Sequence, residues 1–127
     1  MAGVLIDTDL LVDYLAGVAQ AADLLEYARE DLAVSALSVT ELLTGVRNEA
    51  EQSAIDAMLA VFRIIPVDEP VARRAAQMRR ELVSAGITTG ACLIAATALV
   101  HDLRLVTLGR RAYPLVRNIH VPYRRLV

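Results

Sequence analysis

Asp7 and Asp9 flank a threonine directly behind the apolar run Val4-Leu5-Ile6. Further along, Ser38-Val39-Thr40-Glu41 follows a second apolar run, and Thr107 closes a third, Leu103 to Val106. Two carboxylates this close repel one another unless a cation or a proton intervenes. Carboxylate oxygens of this kind suit Mg²⁺ or Mn²⁺, hard cations that keep waters and bind phosphate oxygens. Such a cation can polarise a phosphodiester and supply hydroxide near neutral pH. Simpler roles compete. Asp9 alone reads as the N-cap of a helix beginning at Leu10, and Glu41 as the last member of a Ser-x-x-Glu capping box. Asp7 is harder to explain that way, because it ends an apolar strand and needs a partner if buried.

These residues must be carried by a fold that brings them together. The run Val4–Ile6 suits a buried central strand of a parallel sheet, and Leu10 to Leu15 has helical spacing. Ala19 to Arg29 reads as a second helix and Leu32 to Leu37 as a second strand. The capping box opens a long helix towards Phe62, divided near Gly45 and Asn48. Arg63 to Val67 is a third strand, placed near an edge by Pro66. Asp68-Glu69-Pro70 starts a helix that runs to about Ala85 and stops at Gly86. Ala91 to His101 is apolar nearly all round and so predicts a buried helix. Leu103 to Leu108 is a fourth strand, and Ile119 to Tyr123 a fifth candidate. This alternation predicts a three-layer α/β/α sandwich with a mostly parallel central sheet of four or five strands, in one domain over residues 1–127. In such a sheet, strand ends that lead into helices share one edge, where ligands bind.

The bulk numbers narrow the function further. The chain has 127 residues, is 56% apolar and has a mean hydropathy of +0.46. No apolar run reaches the length needed to cross a bilayer, and no secretory signal opens the chain, so a cytoplasmic location is expected. The surplus apolar surface then points to a protein partner, a homodimer among the options. Cys92 is the single cysteine, excludes an internal disulfide, and reads as core. The net charge of −2 is uneven: six arginines and no acids follow Asp102, so that tail carries +6 against −8 elsewhere. All thirteen basic residues are arginine. A basic tail on an acidic body suggests RNA or DNA, or else pairing back onto the acidic half. The glycine spacing fits neither a P-loop nor a dinucleotide fingerprint, and His101 and His120 have no nucleophile motif beside them.

Ile6 to Leu15 resembles the opening of PIN-domain proteins of the VapC toxin type. Ser38-Val39-Thr40-Glu41-Leu42-Leu43-Thr44-Gly45 is similar to that family's second acidic motif. Cys92 to Leu99, followed by Leu105-Val106-Thr107, is similar to its third region. The three motifs occur in the family's order and cover nearly the whole chain. The resemblance implies a Mg²⁺- or Mn²⁺-dependent endoribonuclease acting on cellular RNA, held inactive by a cognate antitoxin that inserts a segment into a groove near the site. It carries Asp7 and Glu41 over as catalytic, cation-holding carboxylates. Asp9, a further candidate cation ligand, matches a position that is often serine or aspartate. Thr8, Thr107, Arg110 and Arg111 are expected on the RNA side, since an arginine fork can engage two phosphate oxygens at once.

Two departures stand out. The family's third carboxylate falls at Ala91 here, and a fourth, more variable position falls at Gly109. Ala91 removes a core ligand from an otherwise intact motif, as one isolated replacement would. It implies a chain whose activity is lowered or lost, by nature or by substitution. The alternative is a catalytically dead PIN-like protein that binds and regulates. Phospho-accepting receiver domains share Asp7, Asp9 and Thr107, with Asp68 as a candidate acceptor, but they also need a lysine and this chain has none.

Overall fold

A computed structural model describes residues 3–125. Five short strands form one sheet: β1 (Val4–Ile6), β2 (Leu32–Ser35), β3 (Arg63–Ile65), β4 (Arg104–Val106) and β5 (Ile119–His120). Their order is β3-β2-β1-β4-β5, and every pairing is parallel. Six helices connect them: α1 (Thr8–Leu15), α2 (Ala19–Glu26), α3 (Ala36–Thr44), α4 (Glu49–Leu59), α5 (Glu69–Leu82) and α6 (Thr89–Val100). The expected sandwich is present, with all pairings parallel rather than most.

The layers follow from strand alternation. Successive side chains on a strand point to opposite faces. Leu5 and Ala33 join α5 and α6 residues such as Val71, Met78 and Ala96 in one core. Val4, Ile6 and Val34 join Leu10, Leu11, Leu42, Ile55 and Met58 from α1, α3 and α4 in the other. The chain moves outward from β1 to β2 to β3, with α1 to α4 on one face. It then crosses back beyond β1 to β4, with α5 and α6 on the other face. Right-handed crossovers require that change of face when the direction reverses. The reversal makes the gap between the carboxyl ends of β1 and β4 the switch point of the sheet, where ligand clefts form in such folds.

Several boundaries differ from the sequence reading. The long helix is divided where Gly45 and Asn48 indicated, because Asn48 caps α4 by accepting from Glu51 N–H. The cap of helix α3 lies three residues before that of the proposed capping box. Ser35 is its N-cap and accepts from Leu37 N–H, so Ser38 lies inside the helix. Asp7, not Asp9, caps α1. Thr88 caps α6 through Ala91 N–H, which puts Ala91 in the first turn. Strand β3 is at the sheet edge, as Pro66 implied. Gly86 takes the left-handed conformation (φ 73°) that ends the α5 segment. Among the described residues no helix is long and apolar enough to cross a membrane.

A carboxylate cleft at the switch point

Register decides what meets what. Ile6 pairs with Val106 across β1 and β4, and Asp7 N–H donates to the Val106 carbonyl at 3.0 Å. The residues after the two strands, Asp7 and Thr107, are therefore neighbours. Thr107 has no exposed surface, and its hydroxyl donates to Asp7 Oδ2 at 2.7 Å. The same hydroxyl accepts from Gly109 N–H at 3.1 Å, which fixes its direction. Tyr113, from the segment between β4 and β5, donates its O–H to Asp7 Oδ2 at 2.7 Å. Thr8 N–H donates to Asp7 Oδ1 at 2.8 Å. Asp7 is thus buried and held by three donors, which offsets its desolvation.

Glu41 arrives from α3. Thr8 Oγ1 lies 2.7 Å from Glu41 Oε1 and 2.8 Å from Ser38 Oγ. A hydroxyl has one proton, so Thr8 donates to the carboxylate and accepts from Ser38. This overturns the capping role of Glu41: its side chain reaches across to α1 instead of back along its own helix. Asp9 also departs from its expected role. Its Oδ1 accepts from Leu10 N–H at 2.7 Å and its Oδ2 from Leu108 N–H at 3.0 Å, so it ties α1 to the segment after β4. Burial pushes the Asp9 carboxyl up, and the neighbouring Asp7 pushes the same way, while the Leu108 and Leu10 amides pull it back.

Asp7, Thr8, Glu41, Ala91 and Tyr113 line one cleft of about 240 Å³, with Thr88 and Gly90 at the mouth of α6. The structure brings Asp7, Glu41 and position 91 to one cleft, and Asp9 lies next to Asp7 without lining that cleft, its Oδ2 3.3 Å from the Thr107 hydroxyl. Thr107 supports Asp7 from below and has no surface to offer a ligand. Arg110 and Arg111 are exposed on the turn Arg110–Ala112 that leads into Tyr113. Sequence reasoning missed Tyr113, Ser38 and Thr88. Tyr113 lies in an irregular loop with no periodic signal, and only the fold brings it to Asp7. Burial, then the nearby Asp7, drives its phenol well above the ordinary tyrosine range, so it meets Asp7 as a donor.

A second, apolar groove of about 350 Å³ opens beside the cleft between α1, α3 and α4. Thr8 and Glu41 belong to both. Its α1 wall carries Val12, 47% exposed, and Leu15, 37% exposed.

Among the described residues no three histidine, cysteine or carboxylate side chains converge as a cation site. Asp7 already accepts three hydrogen bonds, Glu41 accepts one, Asp9 is committed to two backbone amides and lies 3.3 Å from the Thr107 hydroxyl, and Ala91 offers a methyl. The side chains present do not make a full Mg²⁺ or Mn²⁺ site.

A family profile described as PIN domain matches residues 4–117. The chain belongs to the PIN-domain family, as its sequence motifs implied. It is 41% identical over 124 residues to ribonuclease VapC10 of Mycobacterium tuberculosis, covering 94% of this chain and 92% of that protein. It is 39% identical to ribonuclease VapC19 of the same organism, over 94% of this chain and 98% of that protein. Among solved structures, a toxin–antitoxin complex from Klebsiella pneumoniae superposes with a TM-score of 0.85 at 25% identity, covering 97% of this chain and all of the other. FitAcB from Neisseria gonorrhoeae superposes with a TM-score of 0.78 at 27% identity, over 94% and 97% of the two chains.

The basic tail pairs back in part. Arg125 Nη2 lies 2.8 Å from Asp13 Oδ1 and donates to the Asp9 carbonyl at 2.8 Å, while Tyr123 O–H donates to Asp13 Oδ2 at 2.8 Å. This segment therefore clamps α1 behind the cleft. The Arg125 guanidinium holds the Asp13 carboxyl below its ordinary range. A carboxyl depressed on folding adds stability that is present above the unfolded pKa of ~3.9 and lost as pH falls through the folded value. Arg125→Ala should therefore lower the melting temperature at about pH 7, and the deficit should shrink at about pH 2. Thermal unfolding across that range checks it; a deficit independent of pH would show that the ion pair is not its source.

Proposed function

We propose that this chain is an endoribonuclease toxin of the VapC type, cleaving RNA phosphodiesters at the cleft between β1 and β4. The observation that carries the reading is that Asp7, Glu41 and position 91 line one cleft at the switch point. It is supported by the ribonuclease names of its curated relatives. PIN-domain ribonucleases use divalent cations, and Mg²⁺ or Mn²⁺ would supply the Lewis acid and the hydroxide. Asp7 and Glu41 are the ligands in this reading, with Asp9 as a bracing residue. Ala91 leaves the set one carboxylate short, so the chain as given binds cation weakly and cleaves slowly or not at all. Thr8 orients Glu41 through its hydroxyl, on the RNA side of the cleft. The exposed Arg110 and Arg111, on the turn that leads into Tyr113, contact phosphates.

The partner is a cognate antitoxin, which lays an apolar segment along Val12 and Leu15 in the groove that shares Thr8 and Glu41 with the cleft. Occupation of that groove reaches the catalytic carboxylate directly. A second reading, a catalytically silent protein that holds antitoxin or RNA, is favoured by one observation, the methyl at Ala91.

Ala91→Asp separates the two. The new carboxylate would stand in the first turn of α6, where the helix dipole favours negative charge, so the fold should accept it. Removing a group that merely supports a metal ligand typically costs about 10–100-fold in metal affinity or activity. Restoring a ligand should gain at least as much in Mn²⁺ affinity and in RNA cleavage, and Asp7→Ala should abolish the gain. Unchanged binding and cleavage in Ala91→Asp, with the given chain already active, would refute the role of position 91. No cleavage by either would favour the silent protein. For the arginines, Arg110→Glu with Arg111→Glu should weaken RNA binding and flatten its salt dependence. Identical binding across a salt series would exclude this face.

A further inference from the structure

Six arginines and no carboxylate follow Asp102. The ion pairs among the described residues use Arg47, Arg73 and Arg125. Arg104, Arg110, Arg111 and Arg117 are exposed and belong to none of them. The fold sorts these four into two pairs. Arg110 and Arg111 stand on the turn after β4, at the edge of the sheet where Asp7 and Thr107 emerge. At the other end of the strand, Leu105 N–H donates to the Asn118 carbonyl at 2.9 Å, so β4 and β5 begin side by side. Arg104 and Arg117 therefore share the opposite edge, and Arg104 Nε lies 3.5 Å from Asn118 Oδ1. Three residue steps, from Arg104 to Thr107, separate the two edges by about 10 Å. Between the pairs, Tyr113 and Val116 are buried in the α5–α6 core, while Pro114 and Leu115 stay exposed. β5 is the last strand of the sheet, so this segment forms its flank. Glu30 borders the same small hollow as Arg104 but makes no ion pair with it.

Clustered like charges repel, and an anionic partner supplies the counter-charge that the chain itself does not. The arginines of α5 differ in this respect: Arg73 meets Glu69, and Arg74 donates to Gln77. We infer that an RNA strand leaves the cleft past Arg110 and Arg111, crosses the flank of β5 over Pro114 and Leu115, and is gripped a second time by Arg117 and Arg104. The inference rests on the reading of the cleft as the place where RNA is cut. An arginine fork suits phosphate, since it engages two oxygens at once. Leu115, 37% exposed, offers apolar surface to a base or ribose between the two grips. Phosphate contacts fix the position of a strand without reading its bases. The second grip thus adds affinity and holds the strand in line, and leaves the choice of sequence to the cleft.

Fluorescence anisotropy with a labelled oligouridylate of about ten nucleotides, in EDTA over a NaCl series, tests this. Each phosphate contact to a single strand contributes about 0.7 to the slope of log affinity against log salt. Arg104→Gln with Arg117→Gln should flatten that slope by about 1.4, Arg110→Gln with Arg111→Gln by as much, and all four by about 2.8. Arg73→Gln with Arg80→Gln, on α5, removes the same charge and should leave the slope in place. An unchanged slope in the Arg104, Arg117 variant, beside a flattened one in the Arg110, Arg111 variant, overturns the second grip and leaves the reading of the cleft standing. Equal flattening by the α5 variant also overturns it, because net charge alone then accounts for binding. No RNA binding by the given chain overturns the inference and the reading of the cleft together. Polyglutamate binding that the Arg104, Arg117 variant loses, with RNA binding unaffected, overturns it in favour of an acidic protein. Photocrosslinking with 4-thiouridine RNA supplies the position: adducts are expected within residues 114–117, and adducts confined to α5 overturn the path.

Discussion

The pairing of β1 with β4 is the constraint on which the cleft depends. It is the one contact in the sheet made between strands far apart in sequence at the point where the strand order reverses. Because Ile6 faces Val106, Asp7 and Thr107 emerge together, and a hydroxyl is ready to bind a carboxylate that the strand has carried into the protein. A one-residue slip would turn every side chain of β1 to the other face. Leu5 would then leave the α5–α6 core, so the two apolar cores defend the register that the site needs.

Around that contact the carboxylates are handled differently. Asp7 is held by two hydroxyls and an amide, Asp9 by two amides with the Thr107 hydroxyl nearby, and Glu41 by the Thr8 hydroxyl, which is in turn supported by Ser38. Hydrogen bonds to ionised groups are stronger than those between neutral ones. This network lets three acids gather at one edge. Its cost is that Asp7 presents little unused oxygen, and Ala91 presents none. The tail at Tyr123 and Arg125 fastens α1 from the far side, so the helix that carries Asp9 is fixed at both faces.

Much of this was legible in the sequence, for physical reasons. The apolar runs before Asp7 and Thr107 marked strand ends, Glu41 followed a third run at the start of a helix, and strand–helix alternation implied that parallel pairing would gather them. Asp7 was recognisable because a carboxylate directly behind a buried strand needs a partner, although it also proves to be the cap of α1. Local chemistry misled where two residues could serve the same purpose. Asp7 and Asp9 are both good caps, as are Ser35 and Ser38, and the backbone took the earlier one each time. Tyr113 left no trace because an irregular loop has no period, and its partner is 106 residues away. Arg125 read only as one charge of a basic tail, free to meet nucleic acid or to pair back, since its partner Asp13 is fixed only in three dimensions.

The central claim is that Asp7, Glu41 and position 91 together define a cation site that this chain leaves one ligand short. Anomalous diffraction from crystals soaked in Mn²⁺ addresses it most directly. The account predicts no ordered peak at Asp7 in the chain as given, and one peak touching Asp7, Glu41 and the new carboxylate in Ala91→Asp. A fully occupied peak on Asp7 and Glu41 in the unaltered chain would contradict it.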